Sequence, residues 1–233
     1  MKKQSIVLAS FAIVLLLTGC GGNGTTVSST SQSAPQAAVS SGSDSPQQQE
    51  STGELTLEEV LSAPETDAAM FSWRMTEDGA YLNSYSGNDD IIVIPEEVEG
   101  KPVLGIDVNG LNYLDCRAVV MPDSLQRLEQ GSLGIMGNLE ILVYGTGLQD
   151  GLTMPCADMS SVRIIYVKEG AKHIPDYIAI GAQNMEKIYF PESLEDFGDT
   201  FLIVDCGDPI LVVPAGSAAE QYAIDNGYKY ENP

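Results

Sequence analysis

The sequence predicts a repeat solenoid: a single parallel β-sheet of about six short strands on one side, turns and short helical segments on the other, and a short capping helix at the C-terminus. Three observations predict it. A mostly apolar tetrad recurs every 23 residues, as Ala118–Met121, Ile141–Tyr144, Ile164–Val167, Lys187–Phe190 and Ile210–Val213. An earlier copy, Ile91–Ile94, lies 27 residues ahead of the first of these, so its unit carries four extra residues. Proline follows the tetrad in four copies, as Pro95, Pro122, Pro191 and Pro214. A fixed period of roughly 20–50 residues marks units that cannot bury an apolar face alone and must stack to do so. The tetrads are short and rich in β-branched and aromatic residues, which suits strands. Strands one coil apart run parallel, and a proline without an N–H stops the ladder where it falls.

From the N-terminus, residues 1–20 form a leader: Lys2 and Lys3, then an apolar run from Ile6 to Leu17. The run is too short to cross a bilayer, which takes roughly 20 residues. It ends Leu17-Thr18-Gly19-Cys20, which resembles a bacterial lipobox. That resemblance implies acylation of Cys20, cleavage before it, and an extracytoplasmic protein anchored to the bacterial membrane without spanning it. Residues 21–53 are a tether of Ser, Thr, Gln, Gly and Ala with no aromatic residue. Such a run cannot bury enough apolar surface to offset its ordering entropy, and as a coil it reaches roughly 30 Å.

Residues 54–90 form the N-terminal helix and cap. Thr56-Leu-Glu-Glu59 is a capping box opening a short helix that stops before Pro64, and Asp78-Gly79 is a turn signal for a hairpin over the first coil. Residues 91–214 are the repeats. In register, Val119, Leu142, Ile165, Ile188 and Leu211 make one inward column, and Met121, Tyr144, Val167, Phe190 and Val213 another. Gly145 and Lys168 replace the strand-ending proline in two units, and Asn138 and Asn184 are polar turn residues before their strands. Residues 215–233 cap the end: Ser217-Ala-Ala-Glu220 opens a helix, Asn226-Gly227 stops it, and the helix is expected to cover the edge of the last strand.

The unit from Asn184 to Leu194, with apolar Met185, Ile188, Phe190 and Leu194, resembles the 23-residue leucine-rich repeat of BspA-like (Treponema-type) surface proteins. The stretches Ser84–Ile106 and Val212–Tyr230 resemble the first and last units of such proteins. The family's frequent convex Gly-x-x-Ala-Phe and Cys positions are mostly absent here. The resemblance implies surface display and, for some members, adhesion to host or bacterial ligands; it implies no enzyme.

Strand side chains alternate between faces, so the outward columns are Ile91, Ala118, Ile141, Ile164, Lys187, Ile210 and Val93, Val120, Val143, Tyr166, Tyr189, Val212. Exposed contiguous apolar area marks an interaction site. The expected ligand surface is Tyr166, Tyr189, Val120, Val143, Val212, Ile141 and Ile164, with the tyrosines as anchors. Two alternatives stand beside it: the N-terminal segment folds across this face, or the opposite face is the buried one.

The net charge is −22, and cleavage before Cys20 would remove two of the 11 basic residues and none of the 33 acidic ones, leaving −24. That repels nucleic acid and anionic lipid. Ligand candidates are a host or bacterial protein or a glycan. The competing reading is a structural envelope component that self-associates into a homo-oligomer or packs with other surface proteins. No cofactor, metal or catalytic residue is expected. His173, the only histidine, sits in a turn near Asp176, and Gly87-Asn-Asp-Asp90 lacks the spaced ligands of a calcium loop. Cys116, Cys156 and Cys206 are expected to be small buried hydrophobes, because Cys116 and Cys206 fall roughly 19 Å apart on the ladder, beyond a disulfide's reach.

Overall fold

The computed structural model describes residues 53–149, 156–174, 178–197 and 205–233. The leader, Cys20 and the tether up to residue 52 lie outside the described residues, as does Asp176. Helix α1 (Leu57–Ser62) opens on the expected capping box: Glu59 N–H donates to the Thr56 hydroxyl at 3.3 Å, and Thr56 N–H donates to the Glu59 carboxylate at 2.9 Å. Pro64 follows its C-cap, Ala63. After a single 3-10 turn, β1 (Phe71–Met75) and β2 (Ala80–Tyr85) form the hairpin, its turn closed by Thr76 N–H donating to Gly79 C=O at 2.8 Å.

The solenoid proper follows: β3 (Ile91–Val93), β4 (Glu97–Val98), β5 (Lys101–Ile106), β6 (Ala118–Val120), β7 (Arg127–Leu128), β8 (Gly134–Ile135), β9 (Ile141–Tyr144), β10 (Cys156–Asp158), β11 (Ile164–Val167), β12 (Lys187–Tyr189), β13 (Ile210–Val212), helix α2 (Ala218–Asn226) and β14 (Tyr230–Glu231). The main sheet runs β14-β13-β12-β11-β9-β6-β3, parallel throughout. Its register is the repeat itself: Ile92, Val119, Leu142, Ile165, Ile188 and Leu211 stand directly side by side. Both inward columns are buried in the main core, together with Leu125, Leu148, Ala171 and Leu194 from the turns beyond.

Three points differ from the sequence-based expectation. The sheet has seven strands, not six. Gly227, with φ 71°, turns the chain out of α2, so that Leu211 N–H donates to Lys229 C=O at 2.9 Å and Val213 N–H to Glu231 C=O at 3.0 Å. The edge of β13 is therefore covered by β14, while α2 closes the end of the core with buried Ala219 and Ala223. The capping box of α2 is half formed: Ser217 accepts from Glu220 N–H, but Glu220 accepts from Gly216 N–H rather than Ser217 N–H. The hairpin also belongs to a side sheet, where β2 pairs parallel with β5, β5 pairs antiparallel with β4, and β7 joins β5. The first unit's extra residues fall in the β4–β5 hairpin, turned by Glu99 (φ 52°) and Gly100 (φ 74°), as a two-residue turn with positive φ at both positions requires. Gly145 has a steric reason: a Cβ there would lie 2.1 Å from the Pro122 carbonyl oxygen. Cys116 and Cys206 are buried, as expected, and the side chain of Cys156 lies outside the described residues.

Candidate functional site

The outward strand face divides into two halves. On the first, Ala118, Val120, Ile141 and Val143 are buried beneath Leu55 and Val60, with Leu57, Ile91, Val93, Ile164 and Tyr166 packed around them. The expectation of an open face fails here, and intramolecular cover by the N-terminal segment holds instead. The cause is local. A six-residue helix is too short to persist alone, and Leu55, Leu57 and Val60 need an apolar surface to bury against. Val120, Ile141 and Val143 therefore offer no contact area to a ligand while this strap is in place; Val212 is also withdrawn from solvent, at 4% exposure.

A charged column fastens the strap. The residue just before each strand alternates in sign along four units: Arg117, Glu140, Arg163, Glu186. Arg117 Nε donates to Glu140 at 2.6 Å, and Arg163 Nη2 donates to the same carboxylate at 3.0 Å. Arg163 Nη1 also lies 3.4 Å from Glu186. The guanidiniums have donors left over, and these hold the strap: Arg117 Nη2 to Gly53 C=O at 3.0 Å, Arg163 Nη2 to Leu55 C=O at 3.2 Å, and Arg163 Nη1 to Glu54 at 3.0 Å. Burial alone pushes the Glu140 carboxyl up, but the hydrogen bonds and charges of Arg117 and Arg163 outweigh it and hold Glu140 below its ordinary value. The sequence carried a signal for this column, since the four residues share one repeat position with alternating charge, but only the fold shows what the arginines grip. A shallow depression of about 450 Å³ beside the column is lined by Asp90, Asp115, Arg117, Asn138, Glu140 and Ser161.

The second half carries the tyrosines. Tyr166 and Tyr189 stand directly opposite across β11 and β12, their ring centroids 5.8 Å apart at 45°. Both are half-buried, as are Ile164, Lys187 and Ile210. Lys187 pairs with Glu231 of β14 at 2.6 Å. The pair is a rigid aromatic platform with two phenol groups, suited to contact rather than to bond making.

The remaining reactive groups are dispersed. His173 Nδ1 lies 3.4 Å from Asp196, and both side chains are about half exposed. Burial pushes the Cys116 thiol up to about 12, so its thiolate form is absent at neutral pH. Asp89 accepts from the Tyr85 hydroxyl, and the Asp90 carbonyl accepts from the N–H groups of Arg117 and Ala118, so these residues serve the turn. Among the described residues, no group of three His, Cys, Asp or Glu side chains could hold a metal ion, and no helix is long and apolar enough to cross a membrane.

No protein-family model matches the chain, and no curated protein matches it. Among solved structures, it is similar to the crystal structure of the T. pallidum leucine-rich repeat protein, at 16% identity over 72% of this chain and 98% of that one, with a TM-score of 0.49.

Proposed function

We propose that the chain is a non-catalytic protein-binding module of the BspA-like leucine-rich repeat kind, displayed on the bacterial surface by a lipid on Cys20. It docks its ligand on the uncovered half of the strand face, with Tyr166 and Tyr189 as anchors. The observation that carries this reading is the tyrosine pair itself, held side by side on a parallel sheet at the border of the strap and half-exposed there. Tyrosines of this kind supply large contact area at low entropic cost and dominate interface energetics. With a net charge of −22, the favoured partner is a protein presenting basic groups around an apolar centre.

The test is capture of host and bacterial proteins and glycans by the full chain, compared with a Tyr166→Asp, Tyr189→Asp double variant. The variant is expected to lose binding at least tenfold, a typical loss for an aromatic anchor, while its circular dichroism stays unchanged. Capture that persists in the double variant rejects this site. For the anchor, Cys20→Ser is expected to move the protein from the membrane fraction to the soluble fraction; retention in the membrane would reject lipidation at that residue.

A further inference from the structure

We propose that the covered half of the strand face is a peptide-binding site in its own right, with the chain's own Gly53–Ser62 as its resident occupant, and that two copies of the chain exchange this segment. The inference goes beyond the ligand site above. It concerns β6 and β9 beneath the strap, with Tyr166 of β11 at the border between the two sites, and its partner is a second copy.

The occupant's chemistry is explicit. Two backbone carbonyls and one carboxylate at Gly53–Leu55 receive guanidinium donors from Arg117 and Arg163, and Leu55, Leu57 and Val60 fill the apolar face. Among the described residues, no hydrogen bond joins α1 itself to the sheet, so the helix is held by apolar contact and by the attraction between Glu59 and Arg117. Being only six residues long, it forms on this face or on an identical one, and has little cause to persist free. The segment is joined to the solenoid by Ala63-Pro64-Glu65. Ala63 is extended, at φ −65° and ψ 141°, and Pro64 bars the helix from continuing. Beyond this hinge the chain is pinned, since Thr66 N–H donates to Val93 C=O at 2.9 Å and the Thr66 hydroxyl accepts from Val93 N–H at 3.0 Å.

Changes at Ala63–Glu65 alone would therefore carry the strap from its own face to a neighbour's. The exchanged state keeps every strap contact, which makes exchange a low-cost route to a dimer. What opposes it is the entropy of association and the like charge of the two copies. The charge is screened beyond about 8 Å at physiological salt, so the dimer strengthens as ionic strength rises.

The experiment uses Val60→Asp in the full chain, which disables the strap and leaves the face intact, with a labelled synthetic peptide of residues 53–63 as probe. The variant is expected to bind the peptide saturably, and the wild type at least tenfold more weakly because its own strap competes. Adding Arg163→Ala to the variant should abolish peptide binding. By light scattering at physiological salt, the wild type should contain a species of twice the chain's mass, and the variant alone should not. In the wild type, the α1 amides should exchange hydrogen faster than those of Ile165 and Ile188. A folded variant that ignores the peptide overturns the proposal, as does peptide binding by the variant with only monomers in the wild type. So do α1 amides that open only together with the rungs, a result that does not depend on the variant folding. Ligand capture by Tyr166 and Tyr189 is read separately and is untouched by any of these failures.

Discussion

Ile165→Ala is expected to lower the free energy of unfolding by about 2–5 kcal/mol, the range for truncating a fully buried aliphatic side chain. Ile165 is 0% exposed and stands mid-sheet between Leu142 and Ile188. Its flanking strands are pinned by ladder hydrogen bonds and cannot move in to fill the space, which places the cost toward the upper end. Against a typical total of about 5–15 kcal/mol, that is a large share. In a solenoid each unit leans only on its neighbours, so damage at a central rung also weakens the coupling between the two ends. Urea unfolding followed by far-ultraviolet circular dichroism measures it. Ile164→Ala, one residue earlier and facing outward, is the control, and its loss should be smaller. Equal losses at the two positions would contradict the inward assignment of the Ile165 column.

Glu140→Gln is the second large effect, expected at about 1.5–3 kcal/mol, the range for hydrogen bonds to charged groups and below that of a fully buried pair. The Arg117, Arg163 and Glu140 side chains are 18%, 16% and 21% exposed, so the exchange leaves two adjacent guanidiniums with one weak acceptor between them. The damage should reach the strap first, because the same guanidiniums hold Gly53, Glu54 and Leu55. The pH dependence has a definite sign. The folded carboxyl sits below its ordinary value, so its contribution is complete above the unfolded value of about 4.3 and is lost as the pH falls through the lowered folded value. The stability difference between wild type and Glu140→Gln should be largest near neutrality and should vanish at the acid end. A difference that stays constant down to the acid end would exclude the ionised bridge as its source.

Much of the architecture was legible in the chain. Strand positions, register and the inward columns follow from a period of 23 residues, because stacked identical coils have only one way to align identical apolar residues. The Thr56–Glu59 capping box, the Gly227 stop and the β1–β2 hairpin were equally readable, since each rests on side chain and backbone groups a few residues apart. Strand β14 was not readable. Tyr230-Glu231 has no apolar alternation, both residues are exposed, and the pairing exists only because β13 presents an edge. Gly145 read as a mere departure from proline, and its reason, the Pro122 carbonyl of the coil before, is a contact between residues 23 apart.

The candidate site shows the same division. The outward columns lie on one face, yet Val120, Ile141 and Val143 are core, while Tyr166 and Tyr189 keep part of their surface. Local pattern cannot tell a strand face open to solvent from one under a strap, because both are apolar. By itself the sequence determined the coil, its register and which side chains point outward, since those depend on periodicity and backbone chirality. The tertiary structure alone decided which half of that face is covered, because Leu55, Leu57 and Val60 meet Ala118, Val120, Ile141 and Val143 only after the solenoid has brought Arg117 and Arg163 to where they can hold the segment between them.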